Sequence, residues 1–193
     1  MKRIGITQRE EIAGQHEIRD TLDQRWMDLF SACKLEPLLL PNHLSTIETY
    51  LSIYQLDGII LSGGNDINSA PKRDQVETRL LEWAFLHKIP LLGVCRGMQM
   101  LQVFFSGTLI SVANHVNSPH VTHFGHCSRV TNSFHCFAVD KIPDHFLALA
   151  ISSDGVIESM KHKELPWYGI MWHPEREPVF VQEDLDFIRG IFI

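Results

Sequence analysis

Apolar residues recur along the chain with two different periods. Ile4–Thr7, Leu38–Leu40, Gly58–Leu61 and Ile89–Leu92 are short, almost continuous apolar runs, the pattern of strands covered on both faces. Between them the spacing lengthens to that of helices. Ile18, Leu22, Trp26, Leu29 and Phe30 line one face of a first helix, and Leu44 to Tyr54 forms a second. Val76, Leu80, Trp83 and Ala84 mark a third, and Met98, Leu101, Phe104 and Phe105 a fourth. Strand and helix alternating in this way predict an α/β fold: a parallel sheet with helices on both faces. After about residue 108 the pattern changes. Leu109–Val112, Ser128–Thr131, Leu147–Ile151, Val156–Met160 and Tyr168–Trp172 read as short added strands with few helices between them, and Glu183 to Ile193 as a closing amphipathic helix. No repeat, low-complexity tract or linker interrupts the pattern, so residues 1–193 are expected to form one domain.

Bulk properties narrow the function classes. The chain has 193 residues and 45% hydrophobic content, enough for one sizeable core. A net charge of −6 argues against a broad nucleic-acid surface. No run of 18 apolar residues is present, so no membrane span is expected. The first residues lead straight into a strand, without the apolar segment of a secretion signal. Cys33, Cys95, Cys127 and Cys136 show no close-paired spacing, which suits reduced thiols in the cytoplasm.

The candidate chemistry gathers where strands end. Gly93-Val94-Cys95-Arg96-Gly97-Met98-Gln99 joins the run at Ile89–Leu92 to the fourth helix, so Cys95 lies on a tight strand-to-helix turn flanked by glycines. The helix start behind the sulfur favours its thiolate. A buried packing cysteine fits that turn alone equally well. Two further segments change the balance. Gly169 to Glu175 is a strand that ends in His173, with Glu175 two residues on; Asp57 to Asp66 is a strand that ends in Gly63-Gly64. Strand ends of an open α/β sheet converge on one ligand-binding edge. There His173 can take the thiol proton, Glu175 can fix its tautomer, and the Arg96 N–H can face an oxyanion.

Together these segments resemble the class I glutamine amidotransferase superfamily, over nearly the whole chain. The resemblance implies its Rossmann-like, flavodoxin-like sheet and a Cys95-His173-Glu175 triad. It also implies the Gly64 N–H as second oxyanion donor and Gln99 as the contact for a substrate α-amino group. Asn132-Ser133-Phe134-His135 resembles the N-S-x-H segment of the γ-glutamyl hydrolase branch (peptidase family C26), which helps hold the substrate α-carboxylate, partly through backbone N–H groups. Arg73-Asp74 with Glu77, and Asp154-Gly155-Val156-Ile157-Glu158, resemble that branch's R-D-x-x-E and D-G-x-I-E signatures. Asp74 and Glu77 are expected to be an acidic pair at a helix start and not catalytic.

Arg9, after the first strand, and Arg19, in a segment expected to open the first helix, suit phosphate or carboxylate groups. Surface pairing with Glu10, Glu17 or Asp20 is the plainer account of either. Their neighbourhood resembles small bacterial γ-glutamyl-CDP-amidate hydrolases of capsule phosphoramidate synthesis. The implied activity is hydrolysis of a γ-glutamyl amide or phosphoramidate through a thioester, with γ-glutamyl-CDP-amidate preferred. Another γ-glutamyl amine, the glutaminase subunit of an amidotransferase, or a non-enzymatic binding module are the other readings. The expected partner is a small γ-glutamyl molecule, with nucleotide linkage and a homodimer left open.

His115, His120, His123, His126, Cys127, His135 and Cys136 crowd one region, but their spacings match no zinc pattern. Thiol hydrolysis needs no metal, so neither metal nor cofactor is expected. These histidines are expected to line a loop over the site or to be solvated, and Cys33, Cys127 and Cys136 to be packing residues.

Overall fold

The computed structural model describes residues 1–193. In chain order its elements are β1 (Lys2–Thr7), β2 (Arg9–Ala13), β3 (Glu17–Thr21), α1 (Arg25–Cys33), β4 (Leu35–Leu40), α2 (Leu44–Ile53), β5 (Gly58–Leu61), α3 (Pro71–His87), β6 (Leu91–Val94), α4 (Arg96–Phe104), β7 (Leu109–Ser111), β8 (His120–Phe124), β9 (Cys127–Thr131), β10 (Phe137–Val139), β11 (Phe146–Ser152), β12 (Ile157–His162), β13 (Trp167–Ile170) and α5 (Gln182–Phe192). The main sheet runs β4-β1-β5-β6-β13-β12-β11-β8-β9, with β10 attached to β12 and β7 to β10. β4, β1, β5, β6 and β13 are parallel to one another; from β12 onward neighbours are antiparallel. β13 is thus the seam, parallel to β6 on one side and antiparallel to β12 on the other.

The buried apolar runs behave as expected of parallel strands: β5 and β6 are buried at every position. One face of the sheet is covered by α1 and α5, through Trp26, Phe30, Ile188 and Phe192 packed on Ile4, Ile6 and Leu92. The other is covered by α2, α3 and α4, through Ile47, Leu80 and Leu101 packed on Leu61 and Leu91. No helix is long and apolar enough to cross a membrane.

The main departure from expectation lies just after β1. Residues 17–21 do not open a helix; β2 and β3 form a separate two-stranded hairpin, in the register Arg9↔Thr21 to Ala13↔Glu17. Gly14, at φ 61°, makes the turn possible. Ile18, which falls on the helical spacing, is 55% exposed on this hairpin, and α1 starts only at Arg25. β8 and β10 are also strands that the hydrophobic pattern does not mark.

Candidate active site

The elbow between β6 and α4 is built by close approach. A Cβ on Gly97 would come within 2.1 Å of the Leu61 carbonyl oxygen, so only glycine lets the start of α4 press against β5. Cys95 sits at φ 51° and ψ −105°, a sparsely populated conformation for a side-chain-bearing residue, and its N–H donates to the Ile170 carbonyl at 2.7 Å. Its position is therefore fixed from both the helix and the seam strand. Cys95 is 6% exposed. Arg96 is the first residue of α4, so its N–H has no helical acceptor behind it.

His173 follows β13 and leads a short 3-10 turn over Pro174–Arg176. Its Nδ1 lies 2.7 Å from Glu175 Oε1, with both side chains buried. That bond leaves Nε2 as the ring atom open to a thiol proton, and Nε2 has no hydrogen-bond partner. Burial opposes a charged imidazole, but the Glu175 carboxylate and the Cys95 sulfur outweigh it and raise the His173 pKa to about 9. The structure thus brings Cys95, His173 and Glu175 together. Gly64, at φ 124°, turns the loop after β5 beside them; a side chain there would meet Arg9 and Arg73.

Below the elbow lies a buried ionic cluster whose partners sequence reading missed. Arg73 Nε donates to Glu77 Oε1 at 2.9 Å and its Nη2 to the Ser62 carbonyl at 2.7 Å. The Arg96 guanidinium pairs with Glu77 and with Asp74, and the Thr7 hydroxyl donates to Glu77 at 2.8 Å. Burial works against the Glu77 charge, yet Arg96 and Arg73 hold its carboxyl below the usual range. Asp74 and Glu77 are thus more than an acidic helix start: they join α3, the Ser62–Gly64 loop and the elbow into one block. The i,i+4 spacing of Arg73 and Glu77 was the visible signal.

The other expected site residues divide. Gln99 is buried and its Nε2 donates to the Phe137 carbonyl at 2.8 Å. The Asn132 side chain is occupied by His173: it donates to the His173 carbonyl at 2.9 Å and accepts the His173 N–H at 2.8 Å. That makes it a clamp on the histidine backbone, and its Nδ2 also donates to Glu177 Oε1 at 2.6 Å. The Ser133 hydroxyl donates to the His115 carbonyl at 2.6 Å. The Phe134 ring stands edge-on to His173, with centroids 5.6 Å apart. His135 faces away from this group, into a buried histidine cluster.

Arg9 lines a narrow cleft under the hairpin together with Thr21, Trp26, Gly63, His173 and Arg176. Arg176, overlooked in the sequence although it follows Glu175, puts a second guanidinium there, over the Phe134 ring at 4.5 Å. Arg19 does not join them. It lies on the outer strand β3, 57% exposed, and pairs with Glu17 at 2.9 Å, because the segment is a strand and not a helix.

Two further expectations change. His115 and His135 are buried against Glu158 with His120 close by, and do not line an open loop. Of the cysteines expected to pack, only Cys33 is buried, and burial pushes its thiol up to about 11; Cys127 and Cys136 are exposed, on an outer hairpin and a loop.

Known proteins share this sequence pattern and this fold. Residues 18–183 match the family described as glutamine amidotransferase class-I. The chain is 38% identical over 183 residues to a gamma-glutamyl-CDP-amidate hydrolase from Campylobacter jejuni, covering 90% of each. It is 33% identical over 146 residues to one subunit of the glutamine-hydrolysing GMP synthase from Methanococcus maripaludis, covering 71% of this chain and 73% of that one. In fold, it superposes on a glutamine amidotransferase from Thermotoga maritima with a TM-score of 0.67, 14% identity and coverage of 98% and 94%.

Proposed function

The chain belongs to the class I glutamine amidotransferase family, and on that premise we propose that it hydrolyses a γ-glutamyl amide or phosphoramidate through a thioester on Cys95, with γ-glutamyl-CDP-amidate the preferred substrate. The observation that carries the chemistry is the buried His173–Glu175 pair beside the strained elbow cysteine. The thiolate of Cys95 attacks the γ-carbonyl carbon. The oxyanion that forms is met by the N–H groups of Arg96 and Gly64. As the C–N bond breaks, protonated His173 gives its Nε2 proton to the leaving nitrogen. Neutral His173 then takes a proton from water, whose oxygen attacks the thioester; glutamate leaves and the thiolate is restored. Glu175 holds the imidazole tautomer through both steps.

The substrate assignment is supported by the Campylobacter jejuni relative and by two guanidinium groups, of Arg9 and Arg176, at the cleft beside His173. The cleft itself is narrow, so a leaving group would extend outward across these two partly exposed arginines, whose guanidinium groups suit phosphate oxygens. A second reading, glutaminase subunit of an amidotransferase, is favoured by the likeness to the GMP synthase subunit.

A turnover screen of purified protein alone separates the two. It compares glutamine, small γ-glutamyl amines and γ-glutamyl-CDP-amidate. The proposal expects the nucleotide-linked substrate to have the highest kcat/KM. Preference for glutamine, rising on addition of a synthase, would favour the second reading.

A further inference from the structure

On the far side of Gln99 from the elbow, three imidazoles converge on one carboxylate. Glu158, on β12, is fully buried, and neither of its oxygens has a hydrogen-bond partner. Its Oε1 lies 3.5 Å from His115 Nδ1, 3.6 Å from His135 Nε2 and 3.3 Å from His120 Nε2. His115 Nδ1 and His135 Nε2 are 3.3 Å apart.

The outer hydrogen bonds decide which ring atoms carry protons. His115 Nε2 lies 2.9 Å from Asp154 Oδ2, and His135 Nδ1 lies 3.1 Å from the Phe137 carbonyl. Both acceptors require an N–H, so in the neutral rings the inner nitrogens are bare. Two lone pairs and a carboxylate oxygen then face one another in a buried space. Such a group repels itself unless a cation lies between.

Outer acceptors that fix the tautomer and leave the inner nitrogen basic are how proteins prepare histidine as a metal ligand. The dimensions agree. In a tetrahedral site with zinc–ligand bonds of about 2.0–2.1 Å, neighbouring ligand atoms lie about 3.3–3.4 Å apart. The three inner atoms of His115, His135 and Glu158 are separated by 3.3, 3.5 and 3.6 Å. These three atoms all lie within 4.8 Å of one another, whereas His120, both of whose ring nitrogens lack a partner, approaches the group at Glu158 Oε1.

The geometry points to a site for a divalent metal ion of the zinc class, held by His115, His135 and Glu158. The donor set, imidazole nitrogen with one carboxylate oxygen, suits Zn²⁺ over Mg²⁺ or Ca²⁺, which prefer all-oxygen sites. The ion ties together the His115 loop, the Asn132–His135 segment and β12, whose neighbour is the seam strand. This site stands apart from the hydrolytic reading, and its test does not read activity.

Protein freed of any affinity tag is analysed for metal, stripped with a chelator and titrated with Co²⁺. About one zinc per chain and the visible bands of tetrahedral cobalt are expected, with a higher Tm for the loaded form. Glu158→Gln and His135→Ala should lose both signals. Asp154→Asn, at a side chain that is 58% exposed, should fold normally and weaken cobalt binding by about 10–100-fold. Cys95→Ser should keep the full signal. The inference is overturned if the protein carries no zinc and cobalt gives no tetrahedral bands, which would mean that a proton occupies the cluster. It is equally overturned if the bands survive Glu158→Gln or vanish in Cys95→Ser, which would put the metal elsewhere.

Discussion

In the parallel half of the sheet, Arg73 and Arg96 meet Glu77 and Asp74, two positive groups against two negative ones, and Ser62 and Thr7 complete the set. In the antiparallel half, three histidines surround one carboxylate with no donor assigned to it. Both clusters are buried, and both flank the elbow helix. The first uses guanidinium groups, whose charge does not vary with pH, to hold the loop after β5 and the start of α4 in place. The second uses imidazoles, which exchange protons and bind metals. Fixed charge is thus concentrated on one side of β13 and imidazole on the other. His173, just after β13, draws on both, through Gly63 on one side and Asn132 on the other.

The largest effect should fall at that seam. Cys95→Ala and His173→Asn are each expected to lower kcat by about 10³-fold or more, with Tm near wild type in Cys95→Ala, and Cys33→Ala to leave turnover intact. Steady-state kinetics with thermal melts check this; comparable turnover in Cys95→Ala would remove the seam as the chemical centre.

Next in size is the matched cluster. Glu77→Gln leaves two buried guanidinium groups short of a counter-charge and should cost about 3–5 kcal/mol in denaturant unfolding. Glu158→Gln, in metal-free protein, should cost much less, because the carboxylate it replaces faces acceptors. Equal losses would break the contrast between the two halves.

Substrate choice gives a smaller, sharper test. Arg9→Ala should raise KM for γ-glutamyl-CDP-amidate about 10–100-fold, the worth of a charge-assisted contact, and leave a small γ-glutamyl amide nearly unchanged. Arg19→Ala should change neither. A similar fall on both substrates for Arg9→Ala would make that arginine structural.

The smallest effect concerns pH. The His173 pKa is raised from 6.5 to about 9 in the folded protein. A raised folded value means that protonated His173 adds stability in full below 6.5, and that this is lost as the pH rises through about 9. The stability difference between wild type and Glu175→Gln should therefore shrink between about pH 7 and about pH 10. A constant gap in denaturant titrations at the two values would show that the pair acts without the charge.

The parallel half was the more legible in sequence. Its strands are covered on both faces, so burial writes continuous apolar runs, and the glycines of the elbow are forced by backbone contact. The hairpin was not legible, because its strands are mostly polar, its paired Ile12 and Ile18 are exposed, and Ile18 and Leu22 happen to fall on the helical period of Trp26. The Arg96–Glu77 pair spans 19 residues, and no local pattern announces such a contact. Asn132 stands in a recognisable segment, but its partnership with the His173 backbone depends on the packing of distant segments. The histidine group was visible as a crowd. Its meaning depends on Glu158 and on the outer acceptors Asp154 and Phe137, which spacing alone does not connect.

The β2–β3 hairpin pairs only with itself and is fastened to the rest mainly by two asparagines. Asn65 exchanges two hydrogen bonds with the Glu10 backbone, at 2.8 and 2.9 Å, and Asn42 donates two to Asp20, at 2.8 and 2.7 Å. For protein engineering this makes the hairpin a transplantable part. A chimera that keeps both asparagines and Asp20 could carry a foreign loop from residue 11 to residue 19 without disturbing the core strands. Library construction there would vary one short surface insert while Arg9 and Thr21, the hairpin residues that line the cleft, stay in place.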